Sequence, residues 1–181
     1  MDRNSPLVKG AQETQPEAWL RGPVPGVDPA IGALIHSFQQ AREDLARFTE
    51  GLSDQQIWMR PYGLAPLGFQ LRHIAGSVER LTVYLSGGVL SETQLAAMRS
   101  EMEPGGAPAE LLAAIDASFA RTEAVVRQID PSALTEPRGI GRKQLPTTVG
   151  GLVIHMAEHT TRHVGEAIVT AKVLRALAAS G

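Results

Sequence analysis

Apolar residues recur at spacings of three and four along four long segments of this chain, and this period constrains the fold more than any other feature. In the clearest segment, residues 66–85, the spacing is 4-3-4-3-4 and the apolar positions are Leu67, Leu71, Ile74, Val78, Leu81 and Leu85. Such spacing places one apolar stripe on an α-helix that packs in a bundle. Similar stripes run through residues 29–48, 108–129 and 147–178. Strand-like alternation is nearly absent, so the sequence predicts an all-α protein.

Shorter features complete the predicted architecture. A short extra helix is expected over residues 91–102, and the proline- and glycine-containing stretch 130–146 is expected to be a loop. Residues 1–28 contain four prolines and no sustained period, which favours an extended N-terminal arm. The sequence thus predicts this arm followed by a four-helix bundle domain with one extra short helix over residues 29–181.

The composition limits the number of domains, the partners and the cellular location that we expect for the protein. A length of 181 residues with 43% hydrophobic residues is typical of one globular domain. A net charge of −2 without a basic run argues against nucleic acid as a partner. The chain has no stretch resembling a membrane span and no signal-like apolar segment near its start, so we expect a cytoplasmic protein without a membrane partner. The lack of cysteine excludes disulfides and a protein thiolate nucleophile.

Three of the five histidines lie within nine residues, in the segment HMAEHTTRH that runs from His155 through His159 to His163. A spacing of four brings side chains to one face of a helix, where two imidazoles can bind one divalent metal. On a helical projection His159 and His163 lie within or beside the apolar arc centred on Met156, whereas His155 lies about 100° away. The spacing therefore predicts that His159 and His163 bind a metal and that His155 does not.

A third ligand has to come from another helix. His73 lies in the most regular helical segment, and its side of that helix continues with the polar residues Ser77, Arg80 and Tyr84. His36 is the alternative, but its neighbours along the helix are more typical of a solvated face. We therefore favour His73 as the third ligand. Imidazole ligands suit zinc, nickel, copper and iron alike, so the residues leave the metal open.

Four other residues are candidate members of a site around this metal. Arg80 and Glu166 are the candidate catalytic residues, Arg80 because guanidinium groups bind carboxylates and Glu166 because it follows His163 by one turn. Tyr84 and Trp58 are candidate cofactor-binding residues that could form a wall or a lid. For each residue the alternative is structural: a surface side chain for Arg80, packing for Tyr84 and Trp58, and simple exposure for Glu166.

The arrangement of the histidines resembles the DinB-like family of metal-binding four-helix bundles, which includes bacillithiol S-transferases and relatives of mycothiol-dependent maleylpyruvate isomerase. The resemblance extends over residues 29–178 and depends most on the segments LRHIA, which contains His73, and HTTRHVG, which contains His159 and His163. It implies that these three histidines bind zinc or nickel, that a low-molecular-weight thiol is a candidate cosubstrate, and that the protein is a homodimer. Relatives often have glutamine where this chain has Glu166.

Three functions are open at this stage. The first is a metal-dependent enzyme that activates a thiol cosubstrate for transfer to a small-molecule substrate. The second is a metal-dependent hydrolase. The third is a non-catalytic, metal-binding stress module with a closed set of ligands. A metalloprotease, suggested by the H-x-x-E-H match at residues 155–159, is disfavoured because Glu158 points away from the apolar arc.

Overall fold

The computed structural model describes residues 15–180, which form six α-helices and a small β-hairpin. The helices are α1 (Pro29–Thr49), α2 (Asp54–Ile57), α3 (Leu67–Leu85), α4 (Glu92–Arg99), α5 (Pro108–Val126) and α6 (Val149–Ala179). Short 3-10 turns occupy Ala18–Arg21, Pro61–Gly63 and Pro131–Thr135. The all-α prediction is confirmed, and α4 is the expected short helix. The four-residue helix α2 was not predicted.

The long helices α1, α3, α5 and α6 form the bundle. Helix α1 packs against α5 and α6, and α3 packs against the same two helices, so that α3 and α6 are neighbours. Leu71 and Ile74 of α3 and Met156 of α6 have no exposed surface. Phe38 of α1 stacks on Phe119 of α5 with ring centroids 4.0 Å apart. Burial of each such side chain stabilises the fold by about 1.5–3 kcal/mol, which makes the predicted stripes the main source of stability.

Capping side chains set where the helices begin. The carboxylate of Asp28 accepts a hydrogen bond from the first turn of α1, and Pro29 occupies the first helical position, where a missing N–H has no cost. Thr148 caps the start of α6, because its hydroxyl accepts a hydrogen bond from the N–H of Gly151 at 3.0 Å. This cap determines where the helix that carries two of the histidines starts.

The prediction of a loop over residues 130–146 is partly wrong, because part of this segment forms a hairpin. Strand β1 (Pro137–Ile140) pairs antiparallel with β2 (Leu145–Thr148). The prolines suggested a loop, but both strands of a two-stranded sheet are edge strands, where a missing N–H is tolerated. Arg138 donates to the carbonyl of Leu85 at 2.9 Å and ties the hairpin to the end of α3.

The described part of the predicted N-terminal arm, residues 15–28, lies along α1. The N–H of buried Ala18 donates to the side chain of Gln40 at 3.0 Å, and both terminal nitrogens of Arg21 donate to Glu43. The rest of the arm, residues 1–14, lies outside the described residues. Among residues 15–180, no helix combines the length and the apolar character that a membrane span needs.

Candidate metal centre

The three histidines favoured as ligands meet where α3 packs against α6. His73 comes from α3, and His159 and His163 come from successive turns of α6. One ligand nitrogen of each lies within 4.8 Å of the other two. The Nε2 atoms of His73 and His159 are 3.0 Å apart, and the His163 ring centroid lies 4.4 Å from that of His73 and 4.5 Å from that of His159. The packing of two neighbouring helices thus builds the cluster.

Two of the imidazoles have a hydrogen-bond acceptor beside their Nδ1 atom. His73 Nδ1 lies 2.6 Å from a carboxylate oxygen of Glu101, and His163 Nδ1 lies 2.7 Å from the side-chain carbonyl of Gln70. An acceptor at this position requires Nδ1 to carry a proton, and in a neutral ring the lone pair is then on Nε2. In their neutral form both rings therefore have the unprotonated nitrogen that a metal requires.

The electrostatics of the cluster favour neutral rings at two positions. Burial, together with the proximity of His163 and then His73, lowers the pKa of His159 to about 4. Burial, followed by the proximity of His73, also lowers the pKa of His163. Neutral imidazole is the form that binds metals, so a metal arriving at neutral pH does not have to displace a proton from either of these two rings.

The donor set fits a divalent cation. Two nitrogens bound to a tetrahedral ion at about 2.0–2.1 Å lie roughly 3.3 Å apart, which is close to the 3.0 Å between His73 and His159. Within residues 15–180 the group has three members, which is the number typical of a catalytic metal site. The side chains of His73 and His163 remain 19% and 13% exposed, so the cluster is not completely buried.

Glu101, which supports His73, was missed by the sequence analysis. It lies just after α4, in a connection without apolar periodicity, where no local pattern marks it. Its buried carboxylate contacts His73 with one oxygen and accepts from Arg80 Nη1 with the other at 2.6 Å. Burial by itself would raise the pKa of Glu101, but the hydrogen bonds from His73 and Arg80 hold that pKa below its usual range. Arg80 is thus buried against Glu101, and its contact with a cosubstrate stays a prediction.

Gln70, which supports His163, was also missed. A buried glutamine three residues before His73 on an apolar helix face is the signal that could have indicated it. Its amide group donates to Glu166 at 2.7 Å, and because a carboxylate only accepts, Glu166 orients the Gln70 carbonyl toward His163. Glu166 itself lies 3.6 Å from His163 Nδ1, on the side of the ring away from Nε2. Its predicted catalytic role stays a prediction.

Trp58 packs against the first turn of α3. Its ring lies so close to Gly68 that a Cβ atom there would come within 2.6 Å of it. The guanidinium of Arg72 covers the ring at 4.7 Å from the centroid, and the indole N–H donates to the carbonyl of Gly106 at 3.3 Å. These contacts are structural, and a contact of Trp58 with a cofactor stays a prediction.

Tyr84 lies near the other end of α3. It follows His73 by eleven residues, which corresponds to roughly 16 Å along the helix axis. There it lines a groove of about 640 Å³ together with Arg99 and Arg142. Tyr84 therefore lies beside this groove and away from the three clustered histidines. Its role in cofactor binding stays a prediction.

The two other histidines lie outside the group. His155 is half exposed, its ring centroid lies 5.3 Å from that of His159, and its Nδ1 faces Glu158 at 3.5 Å. Glu158 is exposed and pairs with Arg162, which argues against the metalloprotease interpretation. His36 lies in a separate groove beside the N-terminal arm. Neither residue takes part in the cluster.

Comparison with known proteins agrees with this geometry. A family model described as the DinB superfamily matches residues 37–167, a range that contains all three clustered histidines. A comparison with curated proteins finds no match. The family match spans more than half of the 181 residues and includes both segments that carry the resemblance seen in the sequence. The chain therefore belongs to the DinB superfamily.

Proposed function

We propose that this protein is a metal-dependent enzyme that transfers a low-molecular-weight thiol to a small electrophile. The observation that carries the proposal is the group of three partly buried imidazoles, His73, His159 and His163. A structural zinc site normally has four protein ligands, whereas a catalytic site keeps one position open for a reacting molecule. Membership of the DinB superfamily supports metal binding as part of the function.

A divalent cation held by these imidazoles would act as a Lewis acid and lower the pKa of a thiol that reaches it. The chain contains no cysteine, so the reacting sulfur would come from the cosubstrate. In the transfer, sulfur forms a bond to an electrophilic carbon, the bond from carbon to the leaving group breaks with its electron pair, and the thiol proton passes to solvent or to the leaving group. Glu101 and Gln70 orient His73 and His163 for this purpose.

The surroundings of the cluster favour thiol transfer over hydrolysis. In many metal-dependent hydrolases a group beside the open position takes a proton from the metal-bound water. The carboxylates in contact with the ligands, Glu101 and Glu166, lie instead on the Nδ1 side of His73 and His163. A thiol needs less assistance because its ordinary pKa is about 8.5, far below that of water.

We propose a homodimer that acts on a small-molecule substrate in the cytoplasm, with zinc or nickel as the metal. Metal analysis of the purified protein identifies the ion, and sedimentation velocity measures the oligomeric state.

The activity is tested with a panel of low-molecular-weight thiols crossed with model electrophiles on the metal-loaded protein, following thioether formation. We expect a rate above the uncatalysed reaction that falls at least roughly tenfold in His159→Ala, since ligand loss removes the metal. His155→Ala is the matched control, because it removes an exposed imidazole from the same helix outside the group. Metal-dependent ester or amide cleavage without thioether formation would replace the proposal with a hydrolase, and no turnover together with a closed set of ligands would favour the metal-binding module.

A further inference from the structure

We infer that Glu101 is a positioning residue for the metal centre. Glu101, itself bound by Arg80, holds the His73 ring so that Nε2 faces the other two histidines. The inference rests on the proposed metal site but not on the thiol chemistry assigned to it. It concerns a residue outside the bundle helices, on the connection between α4 and α5.

Both oxygens of the Glu101 carboxylate are used. One lies 2.6 Å from His73 Nδ1 and the other accepts from Arg80 Nη1 at 2.6 Å. Glu101 is 5% exposed and Arg80 is 9% exposed, so water does not compete strongly for these bonds. The carboxylate cannot rotate without losing both contacts. Its hydrogen bond with Nδ1 therefore fixes the orientation of the His73 ring.

Helix α3 has a glycine, Gly76, at the place where the side chains of Glu101 and Arg80 pack against the helix. A Cβ atom at Gly76 would come within 2.6 Å of the Glu101 carboxylate and 2.8 Å of Arg80 Nη1. Gly76 follows His73 by three residues, so the space lies directly beside the ligand on the same helix face. A side chain at this position would displace the carboxylate from the histidine.

The connection that carries Glu101 is attached to α3 by Arg72, the residue before His73. The Arg72 guanidinium donates to three backbone carbonyls between residues 100 and 105, on both sides of Glu101. Trp58 covers this guanidinium and donates to the carbonyl of Gly106. The backbone that presents the carboxylate is thus held at several points against the helix that presents the imidazole.

Packing alone does not account for this arrangement. Burial of a carboxylate with a guanidinium carries a desolvation cost, and an apolar pair of similar size would usually stabilise a bundle at least as well. A carboxylate that accepts from the distal nitrogen of a metal-binding histidine fixes the ring and makes the other nitrogen a better ligand. The position of Glu101 behind His73 matches this role.

The test measures the zinc dissociation constant by competition with a chelator, and the absorption spectrum of the cobalt-substituted protein. Glu101→Gln keeps the size of the side chain but cannot accept from both His73 and Arg80. We expect the zinc dissociation constant of the Glu101→Gln protein to be about 10–100-fold higher than that of the wild type, and the absorption spectrum of its cobalt form to change. Glu103→Gln, an exposed carboxylate two residues away, is the matched control and should leave both measurements unchanged.

A second pair of variants covers the case in which Glu101→Gln does not fold. Gly76→Ala displaces the carboxylate without changing any charge, whereas Gly165→Ala changes a helical glycine with open space around it. We expect weaker zinc binding in Gly76→Ala alone. In the metal-free protein, nitrogen NMR should find His73 protonated on Nδ1, and the Gly76→Ala protein should contain both tautomers.

The outcomes separate this inference from the proposed function. If the wild-type protein binds zinc and the folded Glu101 and Gly76 variants bind it equally well, the inference is wrong while the metal site stands. If the wild-type protein binds no divalent metal, both are wrong. If zinc binding weakens as expected but no thiol transfer is found, the inference stands and the proposed reaction does not.

Discussion

His159 shows how burial of a single residue affects the whole protein. Its pKa of about 4 in the folded protein lies below the ordinary value of 6.5. As the pH falls through this interval, the unfolded chain takes up a proton that the folded protein does not bind, so acid favours unfolding. We expect the metal-free protein to lose stability progressively between about pH 6.5 and about pH 4, and His159→Gln to lose less. Urea unfolding at several pH values measures this, and equal losses in both proteins would contradict the shift.

Thr160 and Thr122 form a matched pair of buried hydroxyl groups, each 1% exposed. Within residues 15–180 the Thr160 hydroxyl has no hydrogen-bond partner, whereas that of Thr122 bonds to the carbonyl of Ser118 at 3.0 Å and to the hydroxyl of Thr82 at 2.8 Å. Valine keeps the shape and removes the hydroxyl. We expect Thr160→Val to raise the free energy of unfolding by about 1 kcal/mol and Thr122→Val to lower it by about 1 kcal/mol. Chemical denaturation measures the free energy of unfolding of both variants. A less stable Thr160→Val protein together with a more stable Thr122→Val protein would contradict the hydrogen bonding described for the two hydroxyl groups.

At the scale of elements, two glycines in the bundle helices differ in what surrounds them. Gly68 lies in the first turn of α3 against the Trp58 ring, where a Cβ atom would come within 2.6 Å of a ring carbon, whereas Gly165 in α6 has open space around it. Alanine is the better helix former, so only the contact with Trp58 distinguishes the two substitutions. We expect Gly68→Ala to destabilise the protein by about 1–3 kcal/mol and Gly165→Ala to stabilise it by about 0.5–1 kcal/mol. Thermal unfolding of the two variants measures the difference, and equal midpoints would show that the indole moves freely.

At the scale of the whole molecule, the candidate ligands lie on two different helices, because His73 belongs to α3 and His159 to α6. A metal that binds only the folded state adds about 2.7 kcal/mol to the free energy of unfolding at a concentration of one hundred times its dissociation constant. We expect zinc to raise the unfolding midpoint of the wild-type and His155→Ala proteins alike and to have little effect on His159→Ala. Calorimetry with and without zinc measures this, and equal shifts in all three proteins would place the metal elsewhere.

The fold could be predicted largely from the sequence because its main determinant is local. The apolar periods of α1, α3, α5 and α6 depend only on residues within each helix, and burial of those stripes requires that the helices pack together. The β-hairpin was not predictable in the same way. Its pairing joins Arg138 to Thr147 and Ile140 to Leu145, and contacts between strands leave no period within a four-residue strand. The sequence therefore determined the four long helices, and the pairing of the strands was decided in three dimensions.

The same distinction between local and long-range determinants applies to the candidate metal centre. The spacing of His159 and His163 is a property of one helix, so the sequence alone indicated this pair as candidate ligands and predicted that His155 is not one. The hydrogen bonds to the candidate ligands join residues far apart in the chain: Glu101 lies 28 residues from His73, and Gln70 lies 93 residues from His163. Such partners are set by which helices pack together and by where a connection without apolar periodicity crosses them. The sequence by itself determined that His159 and His163 share one helix face, whereas only the tertiary structure decided which side chains hydrogen-bond to the candidate ligands, because hydrogen bonds between distant segments exist only after the helices have packed.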